Sequence, residues 1–206
     1  MEQIAVIRDS FQLVQELKPH YSAPKNKLIS LEKQGKLFKV VKGLYETERT
    51  VSPLLLASAI YGPSYISFET ALSFWALIPE KVTAVTSATF GKSKTKRFQS
   101  DFGLFLYRDI PPNAFPYEVY IRNEGERSFL IAGKEKSLCD TLYREQSLGS
   151  EKRLREHLFE NLRIEETDFY SLDFTLLSEL CDLYKSTNLR ILKKIAQKQT
   201  RARKNV

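Results

Sequence analysis

Pro19, Pro24 and Gly35 punctuate the beginning of the chain so closely that each intervening piece has room for one short element only. Ile4, Ile7, Phe11, Val14 and Leu17 recur at helical spacing, which predicts a helix over 4–17 with one apolar face. Pro19 ends it, since proline cannot continue a helical hydrogen-bond ladder. Ser22 stands where it would cap a second helix, and Pro24 suits the first turn, where a missing N–H costs nothing. That helix extends to about Gln34, with Gly35 as its stop. Residues 37–41 then read as a strand, Lys42-Gly43 as a tight turn, and Leu44-Tyr45 as the returning strand.

Helix, turn, helix and hairpin in this order are expected of a winged helix-turn-helix. In such modules the later helix lies in the major groove of DNA, and the hairpin reaches the backbone or the minor groove. Leu28 and Leu31 are expected in the core. The candidate DNA-contacting residues are Lys25, Asn26, Lys27, Ser30 and Lys33 on the helix and Lys36, Lys39 and Lys42 along the wing. The last three are spaced three apart, so strand alternation cannot place them all on one face. A merely solvated lysine surface on a helix and hairpin would have the same composition.

The charge distribution sharpens this reading. The chain of 206 residues carries 32 Lys and Arg against 25 Asp and Glu, a net charge of +7 that favours polyanionic partners. Between Tyr21 and Tyr45 there are six lysines and one acid, Glu32. Lys92, Lys94, Lys96 and Arg97 form a second basic stretch, and from Arg190 onward there are seven cations and no acids. Over 137–185 the balance reverses, with eleven acids against six bases. Basic patches beside an acidic helical region suit contacts with more than one kind of partner.

Beyond Thr50 the reading is α+β, and 51–206 is expected to form a second domain behind a DNA-binding domain at 1–50. A helix starts at Ser52-Pro53, and Gly62-Pro63 breaks it. Tyr65-Ile66 is extended, and Ser67 is placed to cap a helix with Glu69 and Thr70 in its first turn. Extended segments follow at 82–89, 98–100, 103–110, 117–123 and 128–132, and short strands in series predict a small antiparallel sheet. From about Lys134 the pattern is helical, broken at Gly149-Ser150 and before Asp173, with 198–206 expected to fray.

Four of these segments, taken in order, resemble AbiE-type antitoxins of the AbiEi family, which belong to type IV toxin–antitoxin systems. They are GKLFKVVKGLYE (35–46), GPSYISFETALSFWALIPE (62–80), VTSAT (85–89) and IAGKEKSLCDTLY (131–143). The shared pattern is a basic hairpin ending in Gly-Leu-Tyr, a Tyr-Ile-Ser segment opening a Glu-Thr-Ala-Leu helix, and a late Glu-Lys-x-Leu-x-Asp helix. The resemblance implies an N-terminal winged helix that represses its own promoter at inverted repeats. It also implies a C-terminal domain that counters a nucleotidyltransferase-like toxin, in many members without an evident stable complex. The residues also have a plain structural reading: a capped helix start at 65–70, and Lys136 and Asp140 paired four apart or solvated.

Other classes find little support. His20 and His157 lie in no catalytic motif, and both are expected at the surface. There is no G-x-S-x-G and no phosphate-cradling glycine loop, so no catalytic residues are nominated. Cys139 and Cys181 are expected as buried thiols, and with two histidines they offer no metal site or cofactor of recognisable spacing. No apolar run reaches the roughly 20 residues of a membrane span, and the N-terminus lacks a signal-peptide pattern, which predicts a cytoplasmic protein without a membrane partner. The competing functional reading is a non-catalytic interaction module that uses the winged helix as a scaffold. Its basic patch, Lys92, Lys94, Lys96 and Arg97, would then meet an acidic protein partner. No dimerisation stripe is visible, so the oligomeric state stays open.

Overall fold

A computed structural model describes residues 7–204. It opens with β1 (Arg8–Asp9), α1 (Ser10–Leu17), α2 (Pro24–Lys33), β2 (Phe38–Val41) and β3 (Leu44–Glu46). The strands form an antiparallel sheet in the order β1-β3-β2. Asp9 fixes where α1 begins, because its side chain accepts the backbone N–H of Gln12 and satisfies a free donor of the first turn. The helix therefore starts at Ser10 rather than at residue 4, and Ile4 lies outside the described residues. Of the expected apolar face, Val14 and Leu17 pack against the small core and Leu13 is buried beside them, whereas Phe11, expected inside, is exposed. Ser22 does not cap α2. Ala23 occupies that position without a side-chain bond, and Pro24 supplies the first turn. Gly35, at φ +67°, ends the helix in a backbone region that favours glycine. Leu13, Leu28, Leu37 and Tyr45 close a small core, with Leu31 packed beside it.

The rest of the chain is a mixed layer of sheet and helices. It comprises α3 (Pro53–Ile60), β4 (Tyr65–Ile66), α4 (Phe68–Phe74), β5 (Ala84–Thr89), β6 (Lys96–Ser100), β7 (Gly103–Asp109), β8 (Val119–Glu124) and β9 (Arg127–Ala132). Then come α5 (Lys134–Arg144), α6 (Glu151–Glu156) running on into a π-helical turn (His157–Asn161), α7 (Glu166–Ser171), α8 (Phe174–Cys181) and α9 (Thr187–Lys204). The six-stranded sheet has the order β6-β7-β5-β4-β9-β8. It is not the antiparallel sheet expected from strands in series: β5 pairs with β7 in parallel, and β4 with β9. Each parallel contact arises because a hairpin inserts one arm beside an earlier strand. β6 takes the sheet edge and leaves β7 against β5, while β8 takes the other edge and leaves β9 against β4. The chain end also departs from expectation, since α9 continues to Lys204 instead of fraying from 198. Its last turns are tied down by Lys198 to Glu151 and by Arg203 to the carbonyl of Leu172.

The two sheets are joined by apolar packing and one buried ion pair. Val40 of β2 sits in the main core, and Phe38 meets Phe102 edge-on with ring centroids 6.5 Å apart. Glu46, at the end of β3, is fully buried and accepts Arg127 of β9 at 2.9 Å and the Thr47 N–H at 2.9 Å. Removing only the cation would leave a buried carboxylate without its counter-charge. Arg127→Met should therefore destabilise the fold by about 3 kcal/mol. Glu46→Gln, which strands only a partly solvated Arg127, should cost under about 1.5 kcal/mol. Urea unfolding curves of the two variants measure both, and equal costs would argue against this assignment.

Candidate functional site

The exposed side of α2 carries Lys25, Asn26, Ile29 and Lys33, while Leu28 turns into the small core. Two residues expected to face outward are partly withdrawn. Ser30 is half-buried and accepts the Gln34 side-chain amide at 3.0 Å; Lys27 is half-buried, with its ammonium 4.7 Å from the centre of the Tyr21 ring. On the β2–β3 hairpin and the turn before it, Lys36, Lys39 and Lys42 are all exposed. An irregularity between Lys39 and Val41 helps to seat Val40 inward beside an outward Lys39, and Lys42 lies at the turn before Gly43.

Lys92 and Lys94 lie on the loop before β6, and Lys96 and Arg97 lie on β6 itself. The loop is held by Asp109, whose carboxylate accepts the Thr89 hydroxyl at 2.6 Å and the N–H groups of Lys92 and Ser93 at 2.6 and 2.5 Å. β6 is an edge strand and packs beside β2 of the small sheet. Lys39, Lys42 and Arg97 consequently line one open cleft of about 670 Å3, together with Glu32 and Asp101. Arg97 thus shares one surface with Lys39 and Lys42, which are far from it in sequence.

Among the described ion pairs, none includes Lys25, Lys27, Lys33, Lys36, Lys39, Lys42, Lys92, Lys94, Lys96 or Arg97. The basic C-terminal helix behaves differently, because Lys193 pairs with Asp182 and Lys198 with Glu151. Arg190, Lys194, Arg201 and Arg203, however, are in none of the described ion pairs either, so the helix is compensated only at Lys193 and Lys198.

A second cluster is wholly buried. The carboxylate of Asp140 on α5 receives Lys136 at 2.7 Å and the hydroxyls of Ser67, Tyr184 and Tyr65 at 2.7, 2.6 and 2.9 Å. Lys136 also donates to Tyr184. Burial, with the Asp140 charge next in order, holds the phenols of Tyr65 and Tyr184 well above the ordinary tyrosine range, so both stay protonated donors. Ser67 begins α4 in the expected place, yet its hydroxyl serves Asp140 instead of capping the helix. Glu69, expected only to favour the helix start, pairs with Arg108 at 2.7 Å. Tyr184 had no local signal in the sequence that could have marked it.

The remaining candidates have structural surroundings. Cys139 and Cys181 are buried free thiols, and burial, followed by the hydrogen bond its S–H makes to Cys181, pushes the Cys139 thiol up. His157 is half-buried in the π-helical turn, and its Nε2 has no partner. Trp75 donates its indole N–H to the carbonyl of Ala132 at 2.7 Å. Among the described residues no group of His, Cys, Asp or Glu could hold a metal ion, and no helix is long and apolar enough to cross a membrane. Comparison with known family profiles and with curated protein sequences returns no match.

Proposed function

We propose that this chain binds double-stranded DNA at its own promoter and represses it, and that it also acts as the antitoxin against a nucleotidyltransferase-like toxin. The observation that carries the DNA reading is the set of ten cations on α2, the wing and the β6 region that have no acidic partner among the described ion pairs. A surface that leaves so many like charges uncompensated is favourable when a polyanion supplies the counter-charge. The succession β1, α1, α2, β2 and β3 supports a winged helix-turn-helix, with α2 as the groove-reading helix and the β2–β3 hairpin as the wing. The antitoxin role rests on the resemblance of the four sequence segments. The convergence of two of them at Asp140 makes those residues part of the fold that would carry this role.

The test is binding of the purified full chain to duplex DNA taken from directly upstream of its gene, against a shuffled duplex of equal length. At least tenfold preference for the upstream duplex is expected, and equal, feeble binding to both would overturn the DNA reading. Co-expression with the product of a neighbouring nucleotidyltransferase-like gene should restore growth. Lys25→Ala/Lys33→Ala/Lys42→Ala should weaken promoter binding and keep that rescue. Substitution is preferable here to truncation at Thr50, because Val40 and Glu46 are embedded against the larger sheet.

The order imposed by Asp109 on the loop bearing Lys92 and Lys94 favours a second reading, in which this loop docks an acidic protein. Lys94→Glu/Lys96→Glu separates the two. Loss of toxin rescue with promoter binding intact would assign the loop to a protein partner.

A further inference from the structure

Two large apolar side chains stand exposed beside each other in the midst of the basic surface. Phe11 of α1 is 69% exposed and Ile29 of α2 is 51% exposed, and with Ser10, Val14, Lys25 and Leu28 they line a shallow groove of about 380 Å3. Single exposed apolar residues are ordinary, but a pair sharing a groove calls for an occupant. Lys25 and Lys33 lie one helical turn before and after Ile29, so the occupant must be apolar opposite the centre and anionic at both ends. A second copy of the chain fits badly, because a two-fold contact through this face sets lysines against lysines. The major groove of DNA fits both requirements: the thymine C5-methyl group projects from the base edge, and phosphates flank the groove on either side.

We propose that Ile29 is a specificity-determining residue that reads thymine by contact with its C5-methyl group, with Phe11 as the other wall of the apolar groove. Asn26 stands three residues before Ile29 on the same exposed face, where its side-chain amide can pair with adenine N6 and N7. Asn26 and Ile29 together make α2 a reader of A·T base pairs. This inference rests on the DNA-binding reading and adds its base preference.

Upstream duplex prepared with uracil in place of thymine has the same sequence and charge but lacks every C5-methyl group, which isolates the contact. The wild-type chain is expected to bind the thymine duplex about fourfold more tightly than the uracil duplex for one buried methyl, and more for several. Ile29→Ala, at an exposed position, should keep the wild-type melting temperature and bind both duplexes equally. Lys33→Ala should weaken both and preserve their ratio. Equal wild-type affinities for the two duplexes, or a ratio that persists in Ile29→Ala, would overturn the inference while leaving DNA binding intact. A wild-type chain without preference for upstream over shuffled duplex would overturn the DNA reading and this inference together. Conversion of a dimer to a monomer by Phe11→Ala/Ile29→Ala, with the thymine-to-uracil ratio unchanged, would assign the groove to a second copy instead.

Discussion

Replacing Asp140 by alanine is expected to lower the unfolding free energy by about 3–5 kcal/mol, because it strands an ammonium group in the core. In a chain of this size that is a fall of roughly 6–20 °C in Tm, measurable by calorimetry or circular dichroism. The Lys136 side chain has no solvent exposure, so it cannot recover hydration without opening the structure. Without Asp140 it keeps the Tyr184 hydroxyl and the ring faces of Tyr184 and Tyr65, whose centres lie 4.9 and 5.6 Å away. The hydroxyls of Ser67, Tyr65 and Tyr184 lose their shared acceptor at the same time. Lys136→Met should be milder, at about 2 kcal/mol, because the carboxylate it leaves behind retains those three hydroxyl donors. The order of the two costs is the diagnostic. A larger loss for Lys136→Met would mean that the cation, not the carboxylate, holds the cluster together.

This cluster also shows how far the sequence could be read. Tyr65 and Ser67, Lys136 and Asp140, and Tyr184 come from three distant stretches, and the first two stretches belong to the segments that carry the family resemblance. The four-residue spacing of Lys136 and Asp140 on one helix face was visible. Their burial was not, since an exposed helix can show the same spacing. What decides it is that β4, α4 and the segment after α8 close over α5, a tertiary fact with no local signal.

Element types were more legible than their partners. Each extended segment from 82 to 132 overlaps a strand, because alternation and turn residues are local signals. The parallel pairings of β5 with β7 and β4 with β9 depend on which hairpin arm reaches the sheet edge, and that is settled by non-local packing. The start of α1 departs from the apolar spacing for a different reason. Apolar spacing alone extended the helix back to residue 4, whereas the side chain of Asp9 caps it and a short strand precedes it. Phe11 shares the helical spacing of Val14 and Leu17, which do pack inward, so spacing alone could not mark it as exposed.

The steepest expected effect on binding is that of salt. A protein that neutralises phosphates releases counterions, and the slope of log affinity against log salt is about −0.9 per phosphate contact. Engagement of about six phosphates by α2 and the β2–β3 hairpin would give a slope near −5 and a loss of about a thousandfold between 50 and 200 mM salt. Lys25→Ala/Lys33→Ala/Lys42→Ala should weaken binding to every duplex and reduce the magnitude of the slope by about 2.7, one contact being lost at each position. Lys193→Ala/Lys198→Ala removes two cations as well, but these already face Asp182 and Glu151. That variant should keep both the affinity and the slope of the wild-type chain. Fluorescence anisotropy titrations of the three proteins across salt decide between a located interface and net charge. If the C-terminal variant lost as much slope per lysine as the α2 and wing variant, the +7 charge of the whole chain would account for binding, and the unpaired surface would not.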